Sequence, residues 1–328
     1  MGMIRTRQDT HGTAHKVHLG GWKRQPTDVR DEPYRLKLPH GFLSAAPVAV
    51  DLRSGCSPVE DQGELGSCTA NMFAGMIEYN EIKGGFTKLS GLNLPAAANT
   101  TVTVSNVQVS SAGVITFTTK VTPSTPTPTP TPTPSKKLIQ VSRLFEYYAT
   151  RKIEGTVSED SGATIRDTIK AGAQYGVADE ASWPYNISQF TVNPPQTVWT
   201  AAAGHKIVSY HSITDGDITT MKAAIAAGTP VGYGFQVYDY FLSQAMATKG
   251  FLPLPGKSES LQGGHAQVLV GYDDNMVNPF DASSKGAFLV RNSWGAAWGL
   301  QGYYWVCYEY IKNTNLCSDF WVVVSEPF

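Results

Sequence analysis

One cysteine of this sequence has the surroundings of an activated nucleophile. Cys68 ends the run QGELGSC at residues 62–68 and directly precedes a helical pattern. A thiol at a helix N-terminus faces the positive end of the helix dipole, which lowers its pKa and favours the thiolate. The neighbouring glycines let a substrate carbonyl approach the backbone closely. The Gln62 amide and the Cys68 backbone N–H are the candidate donors to the oxyanion that would form there.

A base and a group to orient it follow later in the chain. His265 lies in GGHAQVLVGY (residues 263–272), where it opens an apolar strand pattern. Asn292 begins NSWGAAWGLQGY (residues 292–303). A nucleophilic cysteine needs a base, and the base needs a partner that holds its orientation. Together with Cys68, these residues supply the nucleophile, the base and the orienting group that nucleophilic catalysis needs.

Composition excludes several other classes of protein. The 328 residues carry a net charge of −1 and show no basic stripe, which argues against binding nucleic acid by bulk electrostatics. Four cysteines without a Cys-x-x-Cys pair predict neither a disulfide framework nor a zinc site. No apolar run approaches the roughly 18–20 residues of a membrane span. The first residues lack the apolar stretch of a secretory signal, so the cytoplasm and a non-classical export route both stay open.

The elements that position these residues begin after a polar N-terminal stretch. Residues 1–44 contain isolated aromatic anchors, Trp22 and Tyr34, between turn-forming residues. They predict an extended segment lying on another part of the chain. From Pro47 the pattern becomes strand-like and then glycine-rich, and a helix of about four turns is predicted to begin at Cys68.

An insertion interrupts the pattern at residues 90–137. Two β-branched runs around residues 110–113 predict a hairpin, and the Thr-Pro run at 122–137 predicts extended polyproline II. Two helical patterns follow, VSRLFEYYATRKIEG and GATIRDTIKAGAQYG. The later strand patterns are HKIVSYHSI, PVGYGFQVY, HAQVLVGYD, GAFLVRNSW, GYYWVCYEY and DFWVVV. Helices first and strands later predict an α+β fold with a helical lobe beside a β lobe.

The motifs around the three candidate residues resemble those of the papain family of cysteine peptidases. The sequences LGSCT and GGHA are typical of a bacterial-type branch, and the string NSWG…WG…GY is highly specific. The resemblance covers residues 47–88 and 138–328. The 197 residues from Cys68 to His265 fall to 149 once the 48-residue insertion is removed, within the roughly 130–150 expected for this family.

The resemblance implies a two-lobed fold, with a helical left lobe, a β-barrel-like right lobe and the active-site cleft between them. Residues 45–328 would form the catalytic domain, interrupted by 90–137. Cys68 and His265 would form a thiolate–imidazolium pair, and Asn292 would bind the imidazole. The implied reaction is hydrolysis of peptide bonds in protein or peptide substrates by a monomer, without a metal or cofactor.

The resemblance also assigns roles to residues around the cleft. Trp294 would cover the His265–Asn292 hydrogen bond, while Trp298 would either shape the primed side of the cleft or pack in the core. The substrate backbone would lie along Ser161, Gly162 and Ala163, the last standing where the family has a second glycine.

The main specificity pocket of the family aligns with small residues in this sequence, namely Gly234, Gly264 and Ser318. Small residues predict a roomy pocket, which would accept bulky apolar side chains at the second position before the cleaved bond.

Two departures from the family concern the cysteine loop. Leu65 stands where the family usually has a bridged cysteine, so packing must hold the loop, and Thr69 replaces a tryptophan. Neither change removes a catalytic group. By resemblance, Cys56 and Cys317 either pair in a disulfide or remain free, and Cys307 is expected to be a free core thiol.

The N-terminal segment lacks the long helical signature of the usual propeptide. We expect residues 1–44 to be a short prosegment that runs through the cleft, blocks Cys68 and is cleaved near Ala45. This expectation rests on the anchors Trp22 and Tyr34 and on the absence of an independent core. The alternative is a disordered tail.

Three functions follow from these residues. The leading one is an endopeptidase made as a zymogen. The first alternative is an amidase or transpeptidase on the same catalytic plan. The second is a binding protein that keeps the fold without catalysis, which the presence of every catalytic residue type disfavours.

Overall fold

The chain folds into two units in the computed structural model, which describes residues 3–34, 47–83, 100–109, 115–123, 140–207 and 209–324. The larger unit comprises Met1–Phe86 and Leu138–Phe328, and the smaller one Thr87–Lys137. The larger unit contains every candidate site residue and is therefore described first.

Its helices place Cys68 in the interior. Helix α1 (Cys68–Ile82) begins at the nucleophile, as predicted, and is buried along almost its whole length. It packs against α2 (Arg143–Glu154), α3 (Ile165–Tyr175) and the β-sheet. Among the described residues of this unit, the shorter α-helices are α4 (Gln196–Ala202), α5 (Ile218–Ala226), α6 (Gln244–Lys249) and α7 (Tyr308–Lys312). Of the helices that the structure describes, none is long and apolar enough to cross a membrane.

The strands of the larger unit form a two-stranded and an eight-stranded sheet. The first pairs β1 (Met3–Gln8) with β2 (Ala14–Leu19) in an antiparallel hairpin. The other strands are β3 (Ala49–Asp51), β6 (Ser209–Ile213), β7 (Val231–Tyr238), β8 (Phe251–Leu252), β9 (Leu261–Asn278), β10 (Asp281–Arg291), β11 (Tyr303–Cys307) and β12 (Cys317–Val324). Their order is β6-β12-β7-β9-β10-β11-β8, with β3 paired to β9. Over the described residues this sheet does not close into a barrel, and the mixed architecture confirms the predicted α+β class.

One predicted strand is too long. The pattern GYYWVCYEY ends as a strand at Cys307, and its last residues begin α7 instead. The buried Tyr310 hydroxyl donates a hydrogen bond to the Gln236 carbonyl. This contact with a distant strand favours the helical conformation of α7, whereas the local alternation of tyrosines is typical of an extended strand.

The cysteines are all free thiols, so the open pairing of Cys56 with Cys317 does not form. The Cys56 thiol instead points at the Leu52 carbonyl, 3.6 Å away, while Cys317 is buried in β12 opposite Phe235. Leu65, which replaces a family cysteine, packs in a small buried cluster of the helical side. Packing therefore holds this loop, as its sequence predicts.

The smaller unit contains the predicted hairpin. Strand β4 (Thr100–Val109) pairs antiparallel with β5 (Ile115–Pro123). The turn between them and the Thr-Pro run after Pro123 lie outside the described residues.

Candidate active site

Cys68 begins α1 where this helix packs against β9, the strand that carries His265, and Asn292 directly follows β10. Strand β9 carries His265 next to Ala266, whose backbone N–H lies within hydrogen-bonding reach of the Cys68 thiol. The His265 Nε2 atom is 3.0 Å from Asn292 Oδ1, an acceptor, so Nε2 carries the proton. The other ring nitrogen, Nδ1, has no hydrogen-bond partner among the described residues. This tautomer leaves Nδ1 free to take a proton from a thiol.

A residue that the sequence analysis missed also binds Asn292. The Gln267 amide donates to Asn292 Oδ1 at 2.6 Å, and the Tyr304 hydroxyl donates to Gln267 Oε1 at 2.5 Å. Gln267 is two residues from His265 and therefore shares its face of β9. A buried glutamine in an otherwise apolar strand was the signal in the sequence. Its hydrogen bonds fix the oxygen that in turn orients the His265 ring.

The two tryptophans of the NSWG motif differ in position. Trp294 stacks on His265 with ring centroids 5.2 Å apart and an interplanar angle of 21°, and it excludes water from the His265–Asn292 bond. Trp298 is fully buried and packs edge-on against Trp294 and Tyr304. Of its two expected positions, Trp298 occupies the one in the core.

Gln62 is fully buried beside the nucleophile loop. Its amide nitrogen donates to the Leu65 carbonyl at 3.0 Å, and its oxygen accepts from the Ser293 hydroxyl at 2.7 Å. An amide nitrogen has two hydrogens, so one of them is left for a further acceptor. This arrangement is suited to the oxyanion role that the sequence predicts.

The N-terminal segment (residues 3–34) crosses this cleft and uses its hydrogen-bonding edges. The Lys23 N–H donates to the Ala163 carbonyl at 2.9 Å, and the Ala163 N–H donates to the Gly21 carbonyl at 2.8 Å. On the opposite wall, the Gly20 N–H donates to the Gly264 carbonyl at 2.8 Å.

Gly162, beside Ala163, lies very close to the segment. A Cβ atom on Gly162 would lie 2.6 Å from the carbonyl oxygens of Gly20 and Gly21. At Ser161 the hydroxyl is 3.3 Å from the Lys23 ammonium. The predicted substrate edge, Ser161, Gly162 and Ala163, thus contacts the segment throughout.

Trp22 fills the predicted specificity pocket. A Cβ atom on Gly234 would lie 2.0 Å from the indole ring, and one on Gly264 would lie 2.7 Å from it. Ser318 is paired with Gly234 across β12 and β7. Glycine at both positions is therefore what makes room for an indole. The Trp22 Nε1–H donates to Asp319, which the sequence analysis did not single out.

Gly21 lies directly on the nucleophile. A Cβ atom at this position would be 2.9 Å from the Cys68 sulfur and 2.7 Å from the Gly66 carbonyl oxygen. Only glycine passes the thiol at this distance. With the segment in place, Cys68 has no exposed surface.

Polar contacts hold the segment's hairpin to both sides of the cleft. The buried Arg7 donates to Asp61 and to the Trp294 carbonyl, each at 3.1 Å. His18 lies 3.5 Å from Asp160, which also accepts the Gly66 N–H. The hairpin therefore contacts the residues that flank the nucleophile.

Burial changes the charges expected at the active site. It raises the pKa of Cys68 to about 12. It lowers the pKa of His265 to about 4, against the opposing effect of the Asn292 hydrogen bond. Near pH 7 both groups are therefore neutral. The thiolate–imidazolium pair implied by the resemblance is not the form that this covered cleft favours, because burial penalises both charges.

We expect the intact chain to show no thiolate step for Cys68 below about pH 10, because the pKa of a covered thiol is raised rather than lowered. The measurement is the ultraviolet absorbance of the thiolate, taken as the difference between the intact chain and its Cys68→Ala variant. This difference cancels tyrosine ionisation, and mass analysis verifies that the chain stays intact. A step below pH 8 would contradict the expectation.

Within the described ranges, no three His, Cys, Asp or Glu side chains come together so as to hold a metal ion.

Comparison with known proteins gives consistent matches. The model of the papain family cysteine proteases matches residues 158–322. An uncharacterized peptidase C1-like protein of Acanthamoeba polyphaga mimivirus is 33% identical over 276 residues, which cover 81% of this chain and 70% of that protein. The crystal structure of xylellain, a cysteine protease from Xylella fastidiosa, has a TM-score of 0.70 at 30% identity and covers 99% of each chain. A procathepsin B from Trypanosoma congolense shares the fold, with a TM-score of 0.58 at 15% identity over 94% of this chain and 87% of that one.

Proposed function

Since the chain belongs to the papain family of cysteine proteases, we propose that it is an endopeptidase that acts through a thioester on Cys68 and is made as a zymogen. Its prosegment is residues 1–44. Its catalytic domain is residues 45–328, carrying 90–137 as an insertion. One observation carries the zymogen part of this proposal: Gly21 covers the sulfur of Cys68.

The hydrogen bonds between the segment and the cleft walls support inhibition. Trp22 forms a parallel bridge with Ala163, and hydrogen bonds on both cleft walls hold the backbone beside it. A substrate needs these same backbone groups, so segment and substrate compete for them. Procathepsin B, one of the structural neighbours, is itself a precursor form.

Catalysis in this proposal begins when the segment leaves. Water then reaches the cleft, which lessens the burial penalty on both charges, and the proton moves from Cys68 to Nδ1 of His265. Asn292 holds the resulting imidazolium through Nε2–H. The α1 dipole favours the thiolate at its N-terminus.

The thiolate attacks the substrate carbonyl and forms a tetrahedral intermediate. Its oxyanion is stabilised by the Cys68 backbone N–H and the remaining N–H of Gln62. His265 protonates the leaving amine, which departs as the thioester forms. Water, deprotonated by His265, then hydrolyses the thioester and regenerates the thiol.

We expect peptides to be cleaved to fragments with free carboxyl ends, because water is the acceptor in this mechanism. Mass analysis of a peptide library incubated with the chain and an added amino-acid amide measures both outcomes. Products joined to the amide would indicate a transpeptidase, and release of ammonia alone would indicate an amidase. The Cys68→Ala chain is the control and should produce neither.

A further inference from the structure

A carboxylate closes the pocket that Trp22 fills. Asp319 Oδ2 accepts the Trp22 indole N–H at 2.8 Å and the Gln25 backbone N–H at 3.2 Å. The residue is 8% exposed, so its carboxylate is largely removed from water while the segment is in place. A pocket walled by glycine and serine is therefore not apolar at its end.

The backbone directs this carboxylate into the pocket. The pairing of β12 with β7 shifts in register between Ser318 and Trp321, and Asp319 has a left-handed φ of 62°. Its own N–H donates to Asp215 Oδ1 at 3.0 Å. An irregularity of this kind re-aims a side chain that a regular strand would place elsewhere.

Every hydrogen-bond donor that the described residues offer to the Asp319 carboxylate belongs to the N-terminal segment. The cation Arg24, also of the segment, lies 3.9 Å from the neighbouring Asp215. When the segment leaves, Asp319 loses the indole, the Gln25 N–H and this charge together. A substrate that then enters the pocket either provides a donor or leaves the carboxylate unpaired and desolvated.

We propose that Asp319 selects substrates whose second residue before the cleaved bond has a bulky side chain ending in an N–H donor, as tryptophan does. This inference rests on the proposed peptidase function. It differs from the apolar preference that the small pocket residues predict, because an apolar side chain would bury Asp319 without a partner. A site built around a polar partner rejects analogues that lack it.

The test uses two fluorogenic peptides that differ only at this position. One has tryptophan and the other has benzothienylalanine, which has nearly the same shape but no N–H. In the full-length chain carrying Trp22→Ala, we expect kcat/KM for the tryptophan peptide to be about tenfold higher or more.

Two further substitutions in the same chain test the role of the carboxylate. In Asp319→Gly, glycine tolerates the left-handed backbone at this position. This substitution should bring the ratio of kcat/KM for the tryptophan peptide to kcat/KM for the benzothienylalanine peptide close to one. Asp319→Asn keeps a carbonyl acceptor and should retain part of the tryptophan preference. It should weaken cleavage of a third peptide, with the cation arginine at this position, more strongly than cleavage of the tryptophan peptide, because the amide carries no negative charge. Asp281→Asn, on an exposed strand end, is the matched control and should leave the ratio unchanged.

Equal rates for the two peptides in the chain with Asp319 would overturn this inference while leaving the peptidase proposal intact. A preference that survives Asp319→Gly would also overturn it. No turnover of any peptide by a folded chain would overturn the proposed function, and this inference with it.

Discussion

Replacing Trp22 by alanine is expected to raise the rate at which Cys68 reacts with an epoxide inhibitor by about 100-fold in the full-length chain. The indole is 5% exposed and fills the pocket between Gly234 and Gly264. Truncating a buried tryptophan to alanine typically costs about 3–5 kcal/mol. The lower figure shifts the equilibrium between a covered and an open cleft by about two powers of ten. Labelling kinetics followed by mass spectrometry measure the change.

Tyr34→Ala is the matched control for this prediction. Tyr34 is the other aromatic anchor of the segment, but its ring lies half-buried beside His211, away from the nucleophile. Its loss should raise labelling far less than the loss of Trp22. Unchanged labelling in a folded Trp22→Ala chain would show that the pocket contact does not hold the cleft closed.

Replacing Cys68 by alanine should lower kcat/KM for peptide cleavage by about 10⁴-fold or more, since no thioester can form. The change is best measured with a fluorogenic peptide in the full-length Trp22→Ala background. The Cys68→Ala chain should also keep its N-terminal segment during incubation, as judged by intact mass. The reason is the same: removal of the segment by the chain itself needs the nucleophile.

Cys307→Ala separates loss of the nucleophile from loss of a buried thiol. Cys307 is 1% exposed and lies in β11. Replacing it should leave kcat/KM for peptide cleavage within about threefold of the value for the chain that keeps Cys307, because the substitution removes one buried sulfur outside the cleft. A Cys68→Ala chain that retained a tenth of the activity would refute a mechanism through Cys68.

Local patterns predicted the elements that carry the chemistry. The helix that begins at Cys68, the helices after the insertion, and the strand that begins near His265 all follow from the spacing of apolar residues and from turn residues. These features depend on neighbours within one or two turns. The motifs around the three candidate catalytic residues were enough to predict the papain family and its α+β fold, and both are confirmed.

Contacts between distant segments were outside the reach of such patterns. Gln267 was one buried polar residue in a strand until the fold brought its amide to Asn292. Asp319 was one acidic residue near the C-terminus, and a register irregularity turned it toward Trp22, almost three hundred residues earlier. No periodicity relates residues so far apart.

The sequence by itself determined which residues can do the chemistry, because nucleophile, base and orienting amide are specified by residue type and local motif. Tertiary structure decided their charges. A helix N-terminus alone favours a thiolate, whereas the folded chain, with residues 3–34 packed over the cleft, buries Cys68 and His265 and favours their neutral forms. Desolvation depends on everything that surrounds a group, so it is decided only when the whole chain has folded.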